Sequence, residues 1–176
     1  LASGLWDSGA YRRCAENVVR CLRETFAADD LYVSGHDADT DHEEGGTYLW
    51  KRDELEHALT DAEYAQLQQA YQLQPVAALE GKIHLRKQEP CFLPAVEEKL
   101  LRQRRQRRQP FVDRKAVTSL NCLVGVGLVH ASRYLGKAEH LQEAERLFRT
   151  VMQRHYREGA LVHSSIGGQL QPDEFL

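Results

Sequence analysis

The chain has 176 residues, 42% hydrophobic and 28% charged, with a formal net charge of −3; this composition supports a folded core and excludes an intrinsically disordered chain. That charge gives no general attraction to nucleic acid or to an anionic bilayer, and no apolar run approaches the roughly 18–20 residues of a membrane span. The chain therefore reads as soluble and cytoplasmic. Its four cysteines, Cys14, Cys21, Cys91 and Cys122, lack metal-ligand spacing and read as buried reduced thiols.

Residues 10–26 open the fold as an amphipathic helix, with Cys14, Val18, Leu22 and Phe26 recurring at helical spacing and Asp7 or Ser8 ahead of it as a cap. Next come the apolar residues 31–34, the acidic tract 37–46 and the strand-like residues 47–50, which predict an irregular hairpin with a long acidic tip. Two short helices, 51–59 and 61–71, are joined at Thr60, where Glu63 three positions on completes a capping box. Residues 82–85 carry a weak strand signal, Pro90 and Pro94 bracket a turn, and Pro94 suits the first position of a helix over 95–108.

That helix ends in Arg102, Arg104, Arg105, Arg107 and Arg108, which complement the negative end of its dipole; with no interleaved aromatics they do not make a nucleic-acid surface. Residues 116–135 are apolar on nearly every side and predict the most buried helix, with Gly125 and Gly127 admitting a close neighbour. Gly136 stops it, and 138–157 is amphipathic, so the two form an αα-hairpin. A short strand over 160–163 and a loop through Gly167, Gly168 and Pro172 follow.

Asp37-Ala38-Asp39-Thr40, Glu43-Glu44-Gly45, then Tyr48 and Trp50 resemble the D-A-D-S…E-E-G…Y-x-W signature of the spermatogenesis-associated thioredoxin-domain proteins and their bacterial relatives. Arg107 to Pro110, Asp113 to Lys115, Thr118 and Asn121 are similar to that family's R-x-R-P…D-D-K…T-x-W-N-G stretch, with departures at Phe111, Arg114, Leu120 and Cys122. The resemblance implies a parent of two parts: a thioredoxin-like domain, and an α/α toroid like those of the six-hairpin glycosidases and the N-acylglucosamine 2-epimerases. On it, residues 1–176 form a single internal segment of the toroid, mainly α, a partial ring of helical hairpins with a small irregular β-hairpin.

The aspartate spacing at 37, 39 and 41 invites an EF-hand calcium loop, but the sixth and twelfth positions, which need glycine and glutamate, hold His42 and Tyr48. No metal and no cofactor is expected. Glycoside hydrolysis needs two carboxyl groups across a bond, and Asp37, Asp39 and Asp113 are the candidate catalytic groups. Glu43, Glu44, Tyr48, Trp50 and, on the resemblance, Asn121 are the candidate substrate-binding residues. An epimerase needs instead a base such as histidine, and His36 and His42 match no family position.

The expected function is thus part of a carbohydrate-binding or carbohydrate-modifying toroid, epimerase-like or glycoside-hydrolase-like, with turnover left open. The alternative is a non-catalytic helical scaffold. Expected partners are a sugar and either a second copy or the rest of the parent chain, and neither nucleic acid nor membrane.

Overall fold

The computed structural model describes residues 9–88 and 92–171. These residues form six α-helices with short antiparallel strand pairs, so the protein is mainly α. The helices are α1 (Gly9–Cys21), α2 (Arg52–Ala58), α3 (Asp61–Ala70), α4 (Pro94–Gln106), α5 (Thr118–Leu135) and α6 (Ala138–His155). The chain divides into two compact units, one built from residues up to Gly35 and from Val112 onward, the other from His36–Phe111. Trp6, Asp7, Ser8, Pro90, Cys91 and Pro172 lie outside the described residues.

In the first unit α1 runs into a π-helical turn, Leu22–Phe26, and the chain reverses at once, with Ala27–Ala28 pairing antiparallel with Leu31–Tyr32. Asp29 and Asp30 between them both take positive φ, 51° and 64°, the backbone of a two-residue hairpin whose twist matches its strands. Leu31 and Tyr32 therefore pair here and not with residues 47–50; their partner is the segment next to them in sequence. The α5–α6 hairpin turns at Gly136, φ 72°, whose N–H donates to Ser132 O. Arg12 reaches the same helix end and donates to the carbonyls of Leu135 and Tyr134 at 3.2 and 3.3 Å, satisfying acceptors that the helix leaves open. A sheet of Lys115–Val117, Ser164–Ile166 and Gln169–Gln171 completes the unit. Its core is Val19, Leu31, Tyr32, Leu128, Leu147 and Val151 with their neighbours.

The second unit packs α2, α3 and α4 around Leu55, Leu67, Ile83, Val96 and Leu100, all nearly inaccessible. Burying each such side chain contributes about 1.5–3 kcal/mol. Thr60 caps α3: its Oγ1 accepts from the Glu63 N–H at 3.3 Å while Glu63 reaches back to the Thr60 N–H at 2.8 Å. Pro94 is the first residue of α4. The strand signal at 82–85 becomes Lys82–Ile83, paired with Pro75–Val76, and Trp50 bridges Ile83 by two hydrogen bonds of 3.0 and 2.7 Å.

Three expectations are corrected. Helix α5 is not buried all round: Leu128 and Leu135 are buried, while Leu120, Leu123, Val126 and Val129 are exposed, Leu123 to 65%. Apolar content alone does not say which faces another element covers. Gly125 and Gly127 do not mark a close approach within the chain, since a methyl group on Gly125 would meet only Leu147 Cδ2 at 3.8 Å and one on Gly127 would meet nothing within 4 Å. Cys14, Cys21 and Cys122 are exposed rather than buried.

Candidate functional site

The acidic tract lies in the second unit. Asp39–Thr40 pairs with Glu43–Glu44 across Asp41 and His42, both at positive φ, 56° and 65°, so the tip is a tight two-residue turn. Gly45 N–H then donates to Ala38 O at 3.0 Å, and Gly46 N–H to Glu43 O at 3.1 Å. Gly45 has φ 68°, and a Cβ there would stand 2.6 Å from Leu49 Cδ1, so this turn admits only glycine without displacement.

Two of the five carboxylates anchor the turn. Asp41 pairs with Arg108 at 2.7 Å. Glu43 pairs with Lys82, which also reaches Glu80 at 3.3 Å; the Lys82 hydrogen bond and charge hold the Glu43 carboxyl below its usual range. The other three, Asp37, Asp39 and Glu44, are exposed and make no side-chain hydrogen bond or ion pair among the described residues. Thr47 is buried, its Oγ1 donating to Arg108 O at 2.8 Å and sharing a hydrogen bond with Thr40 Oγ1 at 2.7 Å.

The two aromatics of the tract differ. Tyr48 is 38% exposed, with the Arg104 guanidinium 5.6 Å from its ring centre. Trp50 is 4% exposed and belongs to the core, its ring covered by the Arg107 guanidinium at 4.0 Å. Arg107 also donates to the carbonyls of Thr47 and Leu49 and pairs with Glu54 at 3.0 Å. It ties the acidic tract to α2 and α4, a role hidden in the sequence because it stands in a run of arginines that reads as a solvated helix end.

Asp113 and Asn121 belong to the first unit. Asp113 is exposed; Ser34 Oγ at 2.7 Å and the Lys115 N–H at 3.0 Å both donate to its carboxylate, and they hold its pKa below the usual range. Asn121 is fully buried. Its Oδ1 accepts from the Tyr32 N–H at 2.7 Å, and its Nδ2 donates to the carbonyls of Tyr32 and Val117, both at 2.9 Å. Both donors are satisfied within the fold, so Asn121 fastens the Leu31–Tyr32 strand to α5 and presents nothing to a ligand.

Two polar networks in this unit were not foreseen. Buried His155 lies between Thr118 Oγ1 at 2.7 Å and Ser165 Oγ at 2.8 Å. Because Thr118 donates to Val162 O, its oxygen accepts from His155 Nδ1–H, which leaves Nε2 to accept from Ser165. The sequence signal was a histidine on the apolar face of α6. The second network joins Arg23, Glu143, Tyr32 and His140. Burial alone would raise the Glu143 pKa, but hydrogen bonds from Arg23 and Tyr32 outweigh it and the carboxyl stays low.

Among the described residues no group of three or more His, Cys, Asp or Glu side chains is placed to hold a metal ion, and no helix is long and apolar enough to cross a membrane. Neither the protein-family models nor the curated proteins contain a match to this chain.

Proposed function

We propose that the chain supplies part of a carbohydrate-binding or carbohydrate-modifying α/α toroid, of the thioredoxin-domain family that residues 37–50 resemble. The observation that carries this reading is the division of labour in the acidic tract. Asp41 and Glu43 are tied to Arg108 and Lys82, while Asp37, Asp39 and Glu44 remain exposed, and Tyr48 of the same tract is partly exposed. Carboxylates accept hydrogen bonds from sugar hydroxyls, and an aromatic face packs on a pyranose ring. Asp37 and Asp39 are the acid–base candidates on this tract, and Glu44 and Tyr48 the binding ones. Glu43 and Trp50 act as framework.

The test is calorimetric titration of the chain with monosaccharides and disaccharides, beside the double variant Asp37→Asn, Asp39→Asn. We expect a binding isotherm that the double variant weakens by about tenfold, the loss of roughly 1.4 kcal/mol from charge-assisted hydrogen bonds. Equal isotherms for the two proteins would reject the proposal.

A non-catalytic scaffold is the second reading, and a specific observation favours it in the first unit. There Asn121 is satisfied by backbone groups, and Asp113 is held by Ser34 and Lys115. Both are used to shape the strand–helix junction. Any saccharide turnover that Asp113→Asn abolishes would count against the scaffold reading.

A further inference from the structure

We propose that a cleft between α2 and α4, which shares Trp50 with the acidic tract but none of its carboxylates, binds a small neutral polyhydroxylated molecule, with His57 Nε2 and the amides of Gln103 and Gln106 as its hydrogen-bonding groups. The cleft lies wholly within the second unit, has a volume of about 360 Å³ and is lined by Trp50, Glu54, His57, Gln103, Gln106 and Arg107. That volume falls in the range of about 300–1,000 Å³ of small-molecule sites.

The lining follows from helical spacing. Glu54 and His57 stand three apart on α2, and Gln103 and Gln106 three apart on α4, so each helix turns one pair to the same side. Arg107 and the indole beneath it form the flat floor.

The hydrogen-bonding capacity of these groups is uneven. The Arg107 charge is matched by Glu54 at 3.0 Å, and Glu54 also accepts from the Lys51 N–H at 2.8 Å, so neither charge is left to select an ionic ligand. His57 Nδ1 lies 2.6 Å from Asp53 O. A carbonyl only accepts, so Nδ1 carries the proton and Nε2 of the neutral ring presents its lone pair. That nitrogen and both glutamine side chains have no partner among the described residues, and all three residues are exposed. One acceptor and two amides, each able to donate and accept, match adjacent hydroxyl groups, which do the same. A metal would need a third ligand of the right type, and among the described residues none is placed to supply it.

The choice of sugar probes rests on the carbohydrate reading above, while the cleft rests on its own geometry. The test is an NMR titration of the whole chain with glucose, N-acetylglucosamine and myo-inositol, with glucuronate as the charged control. It follows the Trp50 indole N–H, the Gln103 and Gln106 side-chain amides and the His57 ring nitrogens. We expect these signals to shift together and saturate with a Kd of about 1 mM for at least one neutral probe. The pair Gln103→Leu, Gln106→Leu should weaken binding by about tenfold, and His57→Phe should weaken it as well. Asp37→Asn with Asp39→Asn should leave it unchanged.

No shift at these groups with any neutral probe would overturn the proposal, as would shifts that survive the glutamine pair or tighter binding of glucuronate. Sugar binding lost in the aspartate pair but intact in the glutamine pair would sink the cleft and leave the acidic tract standing. The reverse pattern would sink the acidic tract and leave the cleft.

Discussion

At the scale of single residues, Arg107 does more for the second unit than its place in an arginine run suggests. Its guanidinium covers Trp50, satisfies two backbone carbonyls and neutralises Glu54 at once. Replacing it with Ala should cost about 3 kcal/mol, the sum of a cation–π contact and charge-assisted hydrogen bonds. Lys should recover only a minor part, because a point charge cannot reproduce the planar fork. Urea unfolding followed by tryptophan fluorescence checks both variants. Gly45→Ala should also destabilise, by more than about 1 kcal/mol, since φ is positive and Leu49 fills the space.

His155 gives a prediction in pH. Burial first, then Arg154 and Arg157, keep its pKa below 6.5, and His140 is lowered by burial and then by Arg23. Below pH 6.5 the unfolded chain takes up protons that the folded chain refuses, so stability is full above that pH and falls as the solution is acidified. Urea midpoints measured from about pH 7.5 down to about 5.5 should decline, and His155→Gln should reduce the slope. A profile flat in the wild type would contradict the buried neutral ring.

At the scale of elements, the sequence is most legible where a side chain talks to its own backbone. The Thr60–Glu63 box, Pro94 at the head of α4 and Gly136 at the end of α5 all stand where those residues indicate. Strand partners are less legible, because apolar alternation shows that a segment is extended and not what it pairs with. Leu31–Tyr32 and Trp50 each found a partner other than the other.

The turns explain part of that difference. Asp29-Asp30 and Asp41-His42 each take two successive residues of positive φ with no glycine, which no turn signature announces. Such conformations cost a non-glycine residue roughly 1–2 kcal/mol. Asp41→Asn with His42→Gly should therefore raise thermal stability by several degrees, the equivalent of about 1 kcal/mol, though it gives up the Asp41–Arg108 pair. An unchanged or lower melting temperature would mean that this exposed ion pair matters more than the backbone.

At the scale of the whole molecule, the two units differ in how well each covers its own apolar surface. In the first, Val126 and Val129 on α5 and Leu141 and Phe148 on α6 are between 43% and 62% exposed, around a groove of about 410 Å³. Exposed apolar side chains gathered around a groove in this way mark a surface that another chain can cover. The groove's charged lining residue, Glu145, is paired with Arg149 at 3.3 Å, so a second copy related by a two-fold axis meets a largely apolar surface there. Light scattering should give a mass above that of the monomer, and Val126→Glu with Phe148→Glu should return it to the monomer. A monomer mass for the wild type would contradict this. The apolar run of α5 was plain in the sequence; its lack of a partner within the chain was not, because periodicity counts apolar residues and not their neighbours.

The carboxylates of the acidic tract were equally plain in the sequence, whereas their sorting into anchored and exposed groups depends on Lys82 and Arg108, which are distant in sequence. That sorting is what a sugar titration monitored at the backbone amides of residues 37–48 interrogates most directly. If Asp37, Asp39 and Glu44 receive a ligand, the shifts cluster on those residues and on Tyr48 and vanish when Asp37 and Asp39 are both Asn. If the amides of 37–48 stay still while saccharide is added, the acidic tract is framework alone and the carbohydrate reading of it fails.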